Sequence, residues 1–372
     1  MDVVEVQKRQ TGSRGQVAIA APWFGEEEES AVLEVMRSGV LVQGARVREF
    51  ETRFAEAVGS RHAVATSSGS TALHLALLAH GVGPEDEVVT SAQSFIASAN
   101  AIAHVGARPV FADVDETLNI GVETAARAFT RRTKAILAVH LHGNPADLDA
   151  LRELAEKRGA VLVQDACQAI GASLQERRLG AFGTAVYSLY ATKNLTTGEG
   201  GMIATNDDDV ARRCRRLRHQ AYADEPYVHD EIGHNYRLTE IQAAIGIVQL
   251  RRLSGITAAR RRLAARYDAR LDPERFRRPR TVPGACPVYH QYTIRFPGGS
   301  PDRDRARVAL ADAGVASGIY YPLPLHLQPP YRNSDSVCPE AERAAADMLS
   351  IPVHPGVSDD DVERVVEVLL GR

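Results

Sequence analysis

Between His62 and Asp165 short apolar runs alternate strictly with helical patterns, and this alternation limits the available folds more than any other feature. HAVAT, EVVTS, RPVFADVD, KAILAVHL and AVLVQDA read as strands. STALHLALLA, FIASANAIAHVG, a segment from about Val122 and LDALRELAEKRG read as helices between them. Parallel neighbours need a long crossover, usually a helix, and strands that are apolar almost throughout are buried on both faces. The pattern predicts an α/β fold, with a mostly parallel central sheet and helices on both faces. Ligands gather at the carboxyl ends of such strands. Helical patterning resumes after GGMIATN and runs through Leu271, clearest from Thr239 to Leu253. A second set follows: a strand VYHQYTIRF, a helix from Asp302 to Ala313, a GIYYPLP segment and a helix from Ser358 to Leu369. The expected organisation is a flexible polar tail over 1–16, a large domain over 17–255 and a smaller C-terminal α/β domain over 256–372.

A chain of 372 residues is long enough for both domains. Its formal net charge of −3 gives no electrostatic footprint for nucleic acid or an anionic membrane. No apolar run approaches the length of a membrane span, and MDVVEVQKRQTGSRGQ has no apolar signal core. Cys167, Cys214, Cys286 and Cys338 are scattered without a CxxC pair, which argues against a disulfide framework or a zinc site. A cytoplasmic enzyme without a metal is the expectation.

Only Lys8, Lys134, Lys157 and Lys193 among the 44 basic residues are lysines. Arginine cannot replace lysine as an imine-forming amine, because its guanidinium stays protonated. Lys8 lies in the tail, Lys134 follows a charged cluster, and Lys157 ends a helix where a cation meets the dipole favourably. Lys193 differs: YSLYATKNLTTGEGGMIAT sets it after an apolar strand, among small and hydroxyl residues, before a Gly-rich turn. A nucleophilic lysine needs such a desolvated setting, which lowers its pKa.

A Schiff-base lysine implies a carbonyl partner, and the chain holds parts suited to pyridoxal phosphate. That cofactor needs a carboxylate at its ring nitrogen, a phosphate cradle and a flat partner for the ring. Asp165 closes AVLVQD, so it stands at the carboxyl end of the sheet; the bland alternative is a helix N-cap. TSSGSTALHLAL, with Gly69 and Ser70, is a hydroxyl-rich turn opening into a helix, and free N–H groups there bind phosphate. Phe95 follows EVVTS and is placed to stack on the ring, with a core aromatic as the bland alternative. Each part alone is weak; their order along one α/β chain is the argument.

The chain resembles the DegT/DnrJ/EryC1/StrS sugar aminotransferases, within fold type I of the pyridoxal-phosphate enzymes. The resemblance runs from about Ala18 to Leu370, through SGVLVQGARVREFE, SSGSTALHLAL, SFIASANAI, VHLHGNPADLD, QDACQAIGA, SLYATKNLTTGEGGM, GHNYRLTEIQAAIG, YYPLPLHLQPPY and IPVHPGVSDDDV. It implies that Lys193 holds the cofactor and moves the substrate proton. Asp165 would pair with the ring nitrogen, and Gln168 would lie near the phenolic oxygen. Phe95 would stack on the ring, and Gly69, Ser70 and Ser188 would hold the phosphate. Asn235 would reach that phosphate from the other subunit of a homodimer with shared sites. Ser70 stands where many relatives have Thr, and Ala191 where many have Pro. A dehydratase branch has His at the lysine position, so Lys193 favours transamination. Tyr320, Tyr321 and His326 are expected at the substrate mouth, although this Pro-rich stretch also reads as an inter-domain connector.

The implied reaction moves an amino group, with glutamate as donor, to a keto group of a nucleotide-linked sugar. GHNYRLTEIQAAIG is more similar to the branch acting at C4 than to the branch acting at C3. A ketocyclitol substrate, or a cofactor-binding regulator without turnover, are the alternatives.

Overall fold

The computed structural model describes residues 15–371 apart from 224 and 226; Lys8 and almost all of the expected tail lie outside the described residues. Two helices that the sequence reading left unassigned come first, α1 (Glu26–Ser38) and α2 (Ala45–Val58). Val47, Phe50, Phe54 and Val58 recur along α2 at three- and four-residue spacing, and all are buried. The alternating section follows as β1 (His62–Thr66), α3 (Gly69–Ala79), β2 (Glu87–Ser91), α4 (Ala97–His104), β3 (Arg108–Ala112), α5 (Val122–Ala128), β4 (Thr133–Val139), α6 (Leu148–Lys157) and β5 (Val161–Asp165). A small hairpin, β6 (Ser173–Leu174) and β7 (Arg177–Arg178), precedes β8 (Thr184–Ser188) and β9 (Gly201–Thr205).

The main sheet has seven strands in the order β1-β9-β8-β5-β4-β2-β3. β9 runs antiparallel to both neighbours, and the other pairings are parallel. β4 shows why its sequence is apolar throughout. Ile136 and Ala138 enter one hydrophobic core, whereas Ala135 and Leu137 enter another on the opposite face. Successive strand residues point to opposite faces, so a doubly covered strand has no polar side.

After α7 (Asp208–Arg218) comes α8 (Glu240–Arg270), a single helix of 31 residues. Thr239 caps it: its Oγ1 accepts from Gln242 N–H at 3.2 Å, while Gln242 Oε1 accepts from Thr239 N–H at 3.0 Å. Ala243 and Ile247 of α8 belong to the main core, and Leu263, Ala264 and Tyr267 to a separate one. The boundary expected at 255/256 therefore falls inside a continuous helix that serves both cores.

That second core takes side chains from β11 (Tyr292–Arg295), α9 (Ser300–Asp312), β12 (Met348–Ile351) and α11 (Asp359–Leu370), whereas β10 (Ala285–Cys286) pairs with β6 and α10 (Pro339–Asp347) packs in two smaller clusters. β11 and β12 pair antiparallel, and Val17 joins their core by bridging to Val315. The strand expected over VYHQYTIRF is real only from Tyr292 onward. Upstream, Val288 N–H donates to the Gly143 carbonyl at 3.0 Å and Gln291 N–H to the His142 carbonyl at 3.3 Å. These bonds pull Val288–Gln291 toward the end of the main sheet.

Candidate active site

Several carboxyl strand ends converge on one cavity of about 510 Å³. Ser68 and Gly69 follow β1, Phe95 follows β2, Val139 ends β4, Asp165 ends β5 and Ser188 ends β8. The opposite wall brings in Ile19, Ala20, His290, Gln291, Tyr320 and Tyr321.

Gly69 opens α3 against Ser188. A Cβ at Gly69 would stand 2.8 Å from Ser188 Cβ and 3.1 Å from Cys167 Sγ, so no larger residue fits without displacement. Ser68 caps α3 by accepting from Thr71 N–H at 3.1 Å, and Ala72 N–H donates to the Ser68 carbonyl at 3.0 Å. The N–H groups of Gly69 and Ser70 have no acceptor among the described residues. Free donors at a helix start, with the dipole behind them, attract an anion.

Asp165 is 6% exposed. Its Oδ2 accepts from Ser98 Oγ at 2.7 Å, and its Oδ1 from Cys167 N–H at 3.2 Å. No helix follows it, so the N-cap alternative fails, although one oxygen does bind local backbone. Phe95 is 54% exposed, which removes the core-aromatic alternative. Its ring lies 5.6 Å from that of Tyr321.

The Gln168 side chain is oriented from both ends. Its Oε1 accepts from His142 N–H at 2.6 Å and its Nε2 donates to the Tyr321 hydroxyl at 3.2 Å. Burial, and then the charge of Asp165, push the Tyr321 phenol above its ordinary pKa, so it stays protonated. Burial likewise raises Cys167 far above the usual thiol range.

Lys193 lies in the turn between β8 and β9, and its side chain makes no hydrogen bond or ion pair among the described residues. Burial lowers its pKa; the Asp165 charge acts against that shift without reversing it. Lys134 and Lys157 are exposed, as the sequence suggested.

The cavity thus gathers Gly69, Ser70, Phe95, Asp165, Gln168, Ser188, Lys193, Tyr320 and Tyr321. Two expected residues lie elsewhere. His326 does not line it: the ring is 4% exposed, with Nε2 3.1 Å from Glu342 Oε1. Its segment, a short 3-10 turn over Leu325–Leu327, is held down by the Leu325 N–H bond to the Ala92 carbonyl at 2.7 Å. Asn235 is exposed outside its own chain's cavity, bridged to His219. His234 and Tyr236 stack at 4.7 Å and pack against His74 of α3. The alternation of an extended segment then turns Asn235 away from that cluster. Its amide closes no turn on its own backbone.

Sequence reading missed Ser98, Cys167, Glu199 and His290. Ser98 was legible, since it lies three residues after Phe95 on the helical face turned to Asp165. His290 was not, because the departure from the expected strand brings it into the wall.

The sequence model of the DegT/DnrJ/EryC1/StrS aminotransferase family matches residues 22–370. The chain belongs to that family, whose members are pyridoxal-phosphate-dependent. A pleiotropic regulatory protein of Geobacillus stearothermophilus is 43% identical over 90% of this chain and 91% of its own. GDP-perosamine synthase of Caulobacter vibrioides is 38% identical over 95% and 97%. Among solved structures, S. venezuelae DesV, in complex with a ketimine intermediate, has a TM-score of 0.88 at 37% identity, covering 92% of this chain and 93% of its own.

Proposed function

We propose that this aminotransferase moves an amino group from glutamate to the C4 ketone of a nucleotide-linked sugar. The observation that carries the reading is Lys193, a desolvated amine without an ionic partner, in one cavity with the buried Asp165 carboxylate. GDP-perosamine synthase supports a nucleotide-sugar substrate, and GHNYRLTEIQAAIG supports C4.

The residues present fit pyridoxal phosphate. The free N–H groups of Gly69 and Ser70, with the Ser70 and Ser188 hydroxyls, would hold the phosphate. Phe95 would cover the ring, Asp165 would keep its nitrogen protonated, and Gln168 would stand by its phenolic oxygen. When bound, this group supplies an electron sink for the carbon that loses a proton.

Lys193 would hold the cofactor's aldehyde end. Burial lowers its pKa and so favours the neutral amine, which would carry a proton between the substrate carbon and the cofactor carbon on the other side of the shared nitrogen. Ser98 and the Cys167 N–H fix the Asp165 carboxylate, so it needs no reorganisation as charge moves. Tyr320 and Tyr321 line the cavity and would help to exclude water once substrate is bound.

The relative named a pleiotropic regulatory protein favours a second reading, a cofactor-binding regulator. Incubation with glutamate and a panel of keto-sugar nucleotides and ketocyclitols, read by product mass, decides. A ketone-to-amine mass change on a 4-keto sugar nucleotide supports the first reading, and on a ketocyclitol moves it to that class. Bound cofactor without any product supports the regulator.

A further inference from the structure

His290 enters the cavity wall from the segment that leaves the expected strand. Gly143 makes this approach possible. Its φ is +84°, and a Cβ there would stand 2.8 Å from the Gln168 carbonyl oxygen, 2.8 Å from Val288 Cγ2 and 2.9 Å from His290 N. Only glycine lets these three segments meet.

The ring is oriented by Asn194, the residue after Lys193, which is 4% exposed. Asn194 Nδ2 donates to the Val288 carbonyl at 3.2 Å, and a carbonyl can only accept. The amide oxygen must therefore face His290, whose Nδ1 lies 3.3 Å from it. An amide oxygen carries no proton, so Nδ1 holds the hydrogen and a neutral imidazole has a bare Nε2. Burial holds His290 well below the ordinary histidine pKa, and the charges of Lys193, Arg260 and His142 act in the same direction. Nε2 has no partner among the described residues, and the ring lines the same cavity as Lys193.

We propose that His290 is a specificity-determining residue whose bare Nε2 accepts a hydrogen bond from a substrate hydroxyl beside the reacting carbon. The inference rests on the proposed function, because that carbon must come to Lys193. The residue next to Lys193 holds the His290 ring, so a hydroxyl vicinal to the ketone is the donor that arrives with it. A polyhydroxylated ring carries this group, whereas an isolated ketone does not.

The test separates the two half-reactions of the holoenzyme. H290N keeps a donor toward Asn194 and leaves no acceptor at the position of Nε2; H290Q places an amide oxygen near that position. H290N should leave the cofactor band and its bleaching by glutamate unchanged. It should lower kcat/KM for the keto sugar by about ten- to hundredfold. H290Q should recover most of the loss. The keto sugar lacking the vicinal hydroxyl should cost the wild type a similar factor and H290N little more. Equal slowing of both halves means that Nε2 serves Lys193 itself and overturns the proposal, as does an unchanged keto-sugar rate in H290N. Nitrogen-15 spectra of histidine-labelled protein, assigned with H290N, need no turnover: a protonated Nε2 overturns the proposal. No turnover with any keto substrate overturns the proposed function and the substrate part of this inference together.

Discussion

At Lys193 burial works against the charged amine while the nearby Asp165 charge works for it, and burial has the larger effect. Lys134 and Lys157 are exposed, so neither has a comparable setting. Lys193→Ala should lose the visible band of covalently held cofactor and all turnover while its far-UV circular dichroism stays unchanged. Lys193→Arg should fail equally, because guanidinium does not deprotonate in the working range. An undiminished band in either variant removes Lys193 from its proposed role. Asp165 sets a second condition. Asp165→Asn keeps an acceptor for Ser98 but loses the negative charge, so cofactor should still bind while proton abstraction slows by about a hundredfold or more. Wild-type single-turnover rates in Asp165→Asn would show that another group holds the ring nitrogen protonated.

Between elements, the firmest polar contact to the opening helices comes from Glu240, at the start of α8. Its carboxylate accepts from the N–H groups of Gly44 at 2.8 Å, Arg46 at 2.9 Å and Val47 at 2.8 Å, and so caps α2 from 193 or more residues away. Carboxylates at a helix N-terminus are stabilising, and each charged hydrogen bond is worth about 1.5–3 kcal/mol. Glu240→Ala should cost about 3 kcal/mol of unfolding free energy by denaturant titration, and Glu240→Gln should cost clearly less. Equal stability of all three proteins would show the cap to be incidental. This cap also explains a gap in sequence reading. Gly44 occupies the N-cap position of α2 and carries no capping side chain, so the start of α2 had no local mark; α1 was marked by Glu26–Glu29 in its first turn, where Glu28 Oε2 accepts from Gly25 N–H at 2.9 Å, and the sequence reading passed over it. The strands from β1 to β5 were legible because their whole apolar length reports burial on both faces. Gly69, Asp165 and Lys193 were legible because their chemistry follows from position at strand ends. His290 depended on the close approach at Gly143, and His326 was misplaced because its side chain turns to Glu342, a contact made by folding rather than by sequence neighbours.

On the scale of the whole molecule, His140, His142 and His354 are buried, with pKa values lowered by burial to about 4. The folded chain favours the neutral rings, so their stabilisation is complete above the unfolded pKa near 6.5. Below that pH the unfolded chain binds more protons, and stability should fall steadily toward pH 4. Each ring contributes at most about 3 kcal/mol to this loss. Denaturant midpoints that do not change between pH 6.5 and 4 would contradict it. Assembly is the other question at this scale. Tyr227, Val228 and Ile232 are exposed, Ile232 at 87%, close in sequence to the outward-facing Asn235. Apolar surface of this kind commonly marks an interface, and we infer that a second copy covers it and receives Asn235 at its phosphate site. In a two-fold dimer each copy would then give Asn235 to the other's cavity. Lys193→Ala and Asn235→Ala would damage different halves of each shared site. In a heterodimer of the two variants, one site would carry both lesions and the other neither. Asn235→Ala alone should be substantially impaired, and co-refolding equal amounts of the two variants should restore roughly a quarter of wild-type activity under random pairing. If Asn235→Ala is impaired but demonstrated heterodimers recover nothing, Asn235 serves its own subunit. Full activity of Asn235→Ala alone would remove it from the site altogether.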